Sequence, residues 1–318
     1  MTKRRDPTDE LNPTAEGENK TETVEFGNRF LTDKDQVFEH NACNRDNVEP
    51  SAEHLEHAKN IVLKQAENPV EDSEKVAFDE KANEFWNKFY NNNENKFFKN
   101  RNWLNLEFPE IFIGKEGDEL EEDFNILELG CGVGNTTFPL LEANPNPKFK
   151  VFTTDFSSTA IDVLKQHPLY DNDRCKAFVW DMTATELPEI IEPNSLDCIL
   201  MIFAFSAVHP KNWKQTIDNL LKMLKPGGQV LFRDYGRFDL AQLRFKKGRY
   251  VQDNFYVRGD GTQVYFFTED ELREIFDPSK FTEKQLGVDR RLIVNRAQKV
   301  QMHRVWIQGK WIKKADEE

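Results

Sequence analysis

Apolar positions along this chain change their spacing several times, and each change predicts an element. Ala82, Phe85, Trp86, Phe89 and Tyr90 fall at offsets 0, 3, 4, 7 and 8, one clean stripe of a helix predicted over 78–92. A more polar helix is predicted over 51–68, opening at Ser51 after Pro50. From residue 124 the pattern alternates. Apolar runs at 124–129, 149–154, 176–180, 196–203 and 229–234 read as strands, with helical stretches at 135–143, 158–167 and 211–225 between them. Five strands separated by helices predict an α/β fold with a mostly parallel central sheet covered on both faces. Further on, 254–257 and 263–267 flank Gly259-Asp260-Gly261 and read as a hairpin. Thr268 with Glu271 three residues later caps a helix over 268–276, and a last strand is predicted over 301–307. No internal repeat is visible.

Ahead of these elements, residues 1–25 show no apolar period and are rich in Thr, Glu, Asp, Asn and Pro, which predicts a disordered acidic tail. An apolar island follows (Phe26, Phe30, Leu31, Val37, Phe38) and reads as a segment that docks elsewhere. The expected division is therefore the tail, a helical and aromatic extension over 26–110, and a main domain over 124–312. The acidic run from Lys115 to Asp123 is the expected boundary loop.

The longest apolar run, Cys198 to Phe205, is far too short to span a bilayer, so no membrane partner is expected. Lys3, Arg4 and Arg5 are followed by acidic polar sequence, which fits neither a secretory nor a mitochondrial leader. Four cysteines without CxxC spacing read as reduced thiols, and no metal site is expected. The expected compartment is the cytoplasm, with the nucleus as alternative. The net charge of −13 argues against a nucleic-acid partner until its distribution is seen. Residues 1–80 hold 20 acids and 10 Lys or Arg, and 106–127 hold 8 acids against Lys115. Outside those stretches the chain is slightly basic, and over 284–304 six Lys or Arg face one acid. That run reads either as a basic face for phosphates or as an ordinary solvated surface.

The most informative stretch is Phe124-Asn125-Ile126-Leu127-Glu128-Leu129-Gly130-Cys131-Gly132-Val133-Gly134-Asn135, a strand entering a glycine-rich turn that opens a helix. Gly130, Gly132 and Gly134 let a ligand touch the main chain. The pattern is GxGxG, not the GxGxxG that seats a pyrophosphate on a helix N-terminus, which favours S-adenosylmethionine over a nicotinamide dinucleotide. Asp155 closes the second strand, where a carboxylate accepts from ribose hydroxyls in either cofactor class. Asp181 ends the third, in reach of an exocyclic adenine amine. The fourth strand, ending at Ile202 and Phe203, offers an apolar end to the adenine, and Leu224-Lys225-Pro226-Gly227-Gly228 precedes the fifth. Each carboxylate taken alone reads equally well as a cap or loop acid; their order along the chain gives the weight. The fold expected is a Rossmann-like class I methyltransferase.

Longer blocks carry a narrower resemblance. Phe26-Gly27-Asn28-Arg29-Phe30-Leu31-Thr32-Asp33, Phe97-Phe98-Lys99-Asn100-Arg101-Asn102-Trp103-Leu104, Phe205-Ser206-Ala207-Val208-His209-Pro210 and Leu231-Phe232-Arg233-Asp234-Tyr235-Gly236 join the glycine turn in it, with Asn254 to Arg258 and Tyr265 to Thr268 adding to it. Over about 26–312 the chain resembles the eukaryotic methyltransferase-like enzymes that form N3-methylcytidine at position 32 of the tRNA anticodon loop. The first block is similar to the branch acting on threonine tRNA. That resemblance implies cofactor contacts at Trp86, Tyr90, Gly130, Asp155, Asp181, Met182 and Ile202, and tRNA as partner, with a synthetase or another accessory protein as a further candidate. Where the family usually reads Lys-Asp-Arg-His-Trp, this chain has Lys99-Asn100-Arg101-Asn102-Trp103, and Cys43-Asn44-Arg45 stands where a Trp tends to follow.

Chemistry narrows the remaining roles. Cytosine N3 has a free lone pair at neutral pH, so no obligatory proton acceptor is expected, only alignment and exclusion of water. N3 lies on the pairing edge, so the base must be turned out of the loop. Phe97, Phe98, Lys99, Arg101 and Trp103 suit base stacking and phosphate contact, or else core packing and a solvated face. Arg233 and Asp234 close the fifth strand and are the candidates for positioning the base. Asp234 is expected to offset the cationic product and bond its N4 amine, the bland alternative being a structural pair with Arg233. His209 reads as a turn residue before Pro210 more readily than as a base. Rival functions are a small-molecule or protein methyltransferase on the same fold, or a non-catalytic RNA-binding subunit that kept a cofactor fold.

Overall fold

The computed structural model describes residues 49–315 except 95–96, 102, 115–116, 118 and 296–299. The acidic tail over 1–25, the apolar island after it and the Cys43 departure lie outside the described residues. The core is one sheet of β1 (Phe124–Leu129), β2 (Phe149–Asp155), β3 (Cys175–Val179), β4 (Leu196–Ile202), β5 (Leu224–Tyr235) and two later strands. Its order is β3-β2-β1-β4-β5, parallel throughout, extended by the antiparallel β10 (Val300–Lys313) and, at the edge, β9 (Phe281–Asn295). Successive residues of a strand point to opposite faces. Leu127, Leu129, Ile199 and Met201 accordingly enter one apolar layer, and Ile126, Cys198, Leu200 and Ile202 the other. Burial on both faces explains why these strands read as nearly unbroken apolar runs, each such side chain contributing roughly 2 kcal/mol.

The helices that cover the sheet include α5 (Thr137–Ala143), α6 (Ser158–Lys165) and α7 (Trp213–Met223). Ser157 starts α6 by accepting from the Ala160 amide at 3.2 Å, one of the first-turn donors that no helical carbonyl reaches. Ahead of the sheet come α1 (Ala52–Ala66), α2 (Asp72–Glu80), α3 (Ala82–Asn93) and the single turn α4 (Leu104–Glu107). The helix expected over 78–92 is thus two: Lys81 sits at φ −107° and ψ 19°, which breaks the ladder between α2 and α3. The apolar stripe still holds, with Phe89 and Tyr90 buried.

After β5 come a short α8 (Leu240–Leu243) and a separate sheet of β6 (Tyr250–Gln252), β7 (Phe255–Val257) and β8 (Gln263–Tyr265). The expected hairpin is β7–β8, in register at Val257↔Gln263. The next helix, α9 (Glu269–Ile275), carries the reciprocal capping box of Thr268 and Glu271.

Strand β9 was not expected. Its Glu283, Lys284, Asp289, Arg290 and Arg291 hide the alternation, a composition suited to an edge strand that must not pair with another chain. Three of the six cations in the basic run over 284–304 are paired within the fold: Arg290 with Glu49 at 3.0 Å, Arg291 with Asp289 at 3.0 Å and Arg304 with Asp239 at 2.9 Å. No helix among the described residues is long and apolar enough to cross a membrane.

Candidate functional site

Strand order reverses between β1 and β4, and ligands of open α/β sheets bind at the strand C-termini beside such a reversal. A cavity of about 220 Å³ lies there, closed above by α3 and by the β7–β8 turn. Its floor is the glycine turn. Gly130 and Gly132 stand at φ +64° and +55°, the left-handed region that costs other residues about 1 kcal/mol or more. A Cβ at Gly130 would lie 2.6 Å from the Ala204 Cβ, and one at Gly132 would lie 2.7 Å from the Tyr90 hydroxyl oxygen. Side chains are excluded at both, so main chain forms this wall. Gly134 does not line the cavity; it lies against the Phe138 ring.

The turn is tied to β2. The Cys131 amide donates to the Thr154 carbonyl at 3.0 Å and the Gly132 amide to Asp155 Oδ2 at 3.0 Å. Asp155 Oδ1 accepts from the Ser157 amide at 2.9 Å. Burial pushes the Asp155 carboxyl up to about 6 against those hydrogen bonds. Asp181, exposed at the rim, accepts from both the amide and the hydroxyl of Thr183 at 2.8 Å, with Met182 beside it. Below the floor, Glu128 accepts from the Thr137 hydroxyl at 2.6 Å, and burial raises it to about 7.

Trp86 and Tyr90 of α3 line the cavity together with Phe97, Phe98 and Arg101. The two phenylalanines pack edge-on at 4.7 Å between ring centres, and Phe97 packs likewise on Phe89 at 4.8 Å. The Arg101 amide donates to the Asn135 carbonyl at 2.9 Å, bringing the segment onto the glycine turn. Its guanidinium lies 5.3 Å from the Phe203 ring centre, and its Nε has no hydrogen-bond partner among the described residues. Burial pulls the Arg101 pKa down, opposed first by Glu128 and then by Tyr235, Tyr90 and Asp234. Arg101, read from the sequence as suited to base stacking and phosphate contact or else as part of a solvated face, thus sits on the cavity wall.

Several sequence-nominated residues lie elsewhere. Ile202 is buried in the core one residue short of the cavity, which Phe203 and Ala204 line in its place. Lys99 is exposed and outside it. Trp103 stacks on Arg233, whose guanidinium lies 5.1 Å from the ring centres of both Trp103 and Trp306. Arg233 is only 3% exposed, bonds Gln308 Oε1 at 2.6 Å and pairs with Asp289, so it does not face the cavity. Asp234 is fully buried and does not pair with Arg233. Its Oδ2 accepts from the Ser206 amide and its Oδ1 from the Tyr235 amide, each at 2.8 Å. Burial raises it to about 6. Asp234 thus holds the Phe205–Ala207 turn, and Ser206 of that turn lines the cavity.

Residues to which sequence reasoning gave no role complete the wall beside Phe203: Ser206, Tyr235, Arg258, Thr262 and Gln263. The β7–β8 turn supplies three of them, and its Gly-Asp-Gly signal marked the turn without marking what it faces. Among the described residues no group of three or more His, Cys, Asp or Glu could hold a metal ion.

The main-chain floor, the buried Asp155 and the rim Asp181 fit a nucleoside cofactor that carries no phosphate. A family model described as a methyltransferase domain matches residues 127–230. The chain is 50% identical to the tRNA N(3)-methylcytidine methyltransferase trm140 of Schizosaccharomyces pombe, over 91% of this chain and 92% of that one. It is 47% identical to the tRNA N(3)-cytidine methyltransferase METTL2 of Danio rerio, over 91% and 89%. A third relative, the tRNA(Thr) (cytosine(32)-N(3))-methyltransferase of Saccharomyces cerevisiae, is 45% identical over 90% of this chain and 45% of its own length. Taken with the parallel sheet and its glycine-floored cavity, these likenesses mean that the chain belongs to the tRNA N(3)-cytidine methyltransferase family.

Proposed function

We propose that this protein is an S-adenosylmethionine-dependent tRNA methyltransferase that forms N3-methylcytidine at position 32 of the anticodon loop, with threonine tRNA as its substrate. One observation carries the reading: a single cavity joins a main-chain floor suited to the cofactor with an aromatic and cationic wall suited to a base. The tRNA substrate and position 32 follow the relatives' names. S-adenosylmethionine supplies, when bound, a methyl group on a positively charged sulfur.

In this reading Gly130 and Gly132 admit the cofactor to the backbone, Asp155 accepts from ribose hydroxyls and Asp181 from the adenine amine. Trp86 and Tyr90 cover it, with Met182 at its edge and Ile202 supporting from below. Phe97, Phe98 and Arg101 receive the flipped base, and Lys99 and Trp103 belong to the surface that approaches the anticodon stem-loop. Cytosine N3 needs no proton acceptor, so the side chains orient the base and keep water out. Asp234 holds Ser206 and adds a negative charge beneath a base that becomes cationic. The free buried thiols of Cys131, Cys175 and Cys198 are compatible with a cytoplasmic location.

The test incubates purified protein with threonine, serine and arginine tRNA transcripts and methyl-labelled cofactor, then maps the modified nucleoside by mass spectrometry. N3-methylcytidine at position 32 of the threonine transcript is expected. Methylation of another nucleoside overturns the reading, as does label on protein or none at all. A parallel arm with threonyl-tRNA synthetase added decides whether an accessory protein takes part.

A further inference from the structure

Asp234, the group expected to read the base, does not line the cavity and is turned to the Ser206 and Tyr235 amides. The neighbours on the β7–β8 turn are engaged as well. The Thr262 hydroxyl donates to Asp260 Oδ1 at 2.7 Å, and Arg258 Nη1 donates to the Gln263 carbonyl at 3.3 Å. Three cavity-lining side chains carry a buried polar atom without a partner among the described residues: Arg101 Nε, Thr154 Oγ1 on β2, and Gln263 Nε2, the one on the hairpin. Gln263 is 4% exposed, lines the cavity, and its side-chain Nε2 has no hydrogen-bond partner among the described residues. A buried amide donor without an acceptor is costly, and nearly all such groups find one in protein, ordered water or a bound ligand.

Position assigns that ligand to the acceptor side. The two carboxylates proposed for the nucleoside stand at the ends of β2 and β3, whereas β8 packs on the Phe205–Ala207 turn after β4. Phe267, just beyond β8, donates from its amide to the Tyr235 carbonyl at 2.9 Å, fastening the hairpin to the tip of β5. Gln263 therefore enters from the side away from Asp155 and Asp181.

We infer that the Gln263 carboxamide donates to O2 of the flipped cytosine and so distinguishes it from adenine. The inference rests on the methyltransferase reading above. Cytosine N3 and adenine N1 both carry a lone pair beside an exocyclic amine, so one edge of the two bases is alike. The other flank differs: cytosine has the O2 acceptor and adenine a C–H. Uracil and guanine carry a hydrogen on the corresponding nitrogen and are excluded without help. A donor aimed at O2 is the feature that separates the two remaining bases, and a site built around a hydrogen bond rejects an analogue that cannot make it.

The experiment uses full-length protein and anticodon stem-loops carrying cytidine, 2-thiocytidine or adenosine at the target position. For Gln263→Met, which keeps the volume and removes the donor, kcat/KM on cytidine is expected to fall about tenfold, with cofactor affinity by calorimetry within about twofold. The cytidine-to-adenosine ratio narrows. Wild type loses a similar factor on 2-thiocytidine, whose sulfur is a poor acceptor, and Gln263→Met loses nothing further. Wild-type rates on Gln263→Met overturn the inference, as does a proportional loss of cofactor affinity. If Gln263→Met does not fold, the wild-type comparison still decides, since equal rates on cytidine and 2-thiocytidine exclude a donor at O2. A wild type inactive on cytidine refutes the methyltransferase reading instead.

Discussion

Arg233 is the sharpest place to separate a structural role from a functional one. It was nominated from the sequence as a base-positioning residue, yet its guanidinium lies between two indoles, bonds Gln308 and pairs with Asp289. Burial pushes the Asp289 carboxyl up, but Arg233 and then Arg291 outweigh it and hold the group at about 2, against an ordinary 3.8. A depressed carboxylate contributes stability that is present above the unfolded pKa and lost as pH falls through the folded one. Here the window runs from about pH 4 down to about 2, and roughly 2.4 kcal/mol is involved at 1.36 kcal/mol per unit. Arg233→Met keeps much of the stem's packing but removes the cation, and Asp289 retains only Arg291 at 3.0 Å. Breaking one side of a buried pair costs about 3 kcal/mol, or roughly 6–10 °C in a chain of this size. The assay is thermal and urea unfolding of Arg233→Met, Asp289→Asn and the double variant at pH 7.5, with turnover measured at a temperature where all are folded. The double variant should be more stable than the sum of single losses predicts, by about 1–3 kcal/mol. Turnover of the folded single variant should fall by less than about tenfold. Unchanged stability with collapsed turnover refutes the argument, because Arg233 would then act on the substrate.

Three further outcomes follow from the same geometry. Gly132→Ala puts a methyl 2.7 Å from the Tyr90 hydroxyl oxygen at φ +55°, so cofactor binding should drop by more than about thirtyfold while circular dichroism stays native; calorimetry within twofold of wild type would rule the turn out as the floor. Asp155, raised by burial from 3.8 to about 6, costs stability that sets in as pH rises through about 4 and is complete above about 6, and it accepts more strongly from ribose hydroxyls once ionised. Cofactor affinity should therefore rise about fourfold from pH 5.5 to 7.5 and lose that dependence in Asp155→Asn; a flat wild-type profile contradicts this. Asp234→Asn keeps only one acceptor for two backbone donors, so the Phe205–Ala207 turn loosens. Turnover should fall about tenfold with cofactor affinity nearly unchanged, and wild-type kinetics would show that the turn needs no such anchor.

Local order dictated much of this molecule. The run into Gly130, the strand–helix alternation from residue 124, the hairpin around Gly259-Asp260-Gly261 and the Thr268 cap were legible because each depends on residues within a few positions of one another. That Asp155 and Asp181 line one cavity was legible for the same reason: strand ends in a parallel sheet are aligned by topology, so acids there come together without any contact being known.

What only the tertiary structure decided are the pairings made across long stretches of chain. Asp289 takes Arg233 out of the site, Glu49 and Asp239 neutralise arginines that read as a basic face, and Ser206 claims Asp234. Strand β9, dense in charge, earns its place only by pairing with β10. Gln263 gains meaning from an amide nitrogen that has no partner among the described residues. A side chain's charge and length are written in the sequence, but its free energy depends on what surrounds it, and distant segments provide those surroundings only once the sheet has closed.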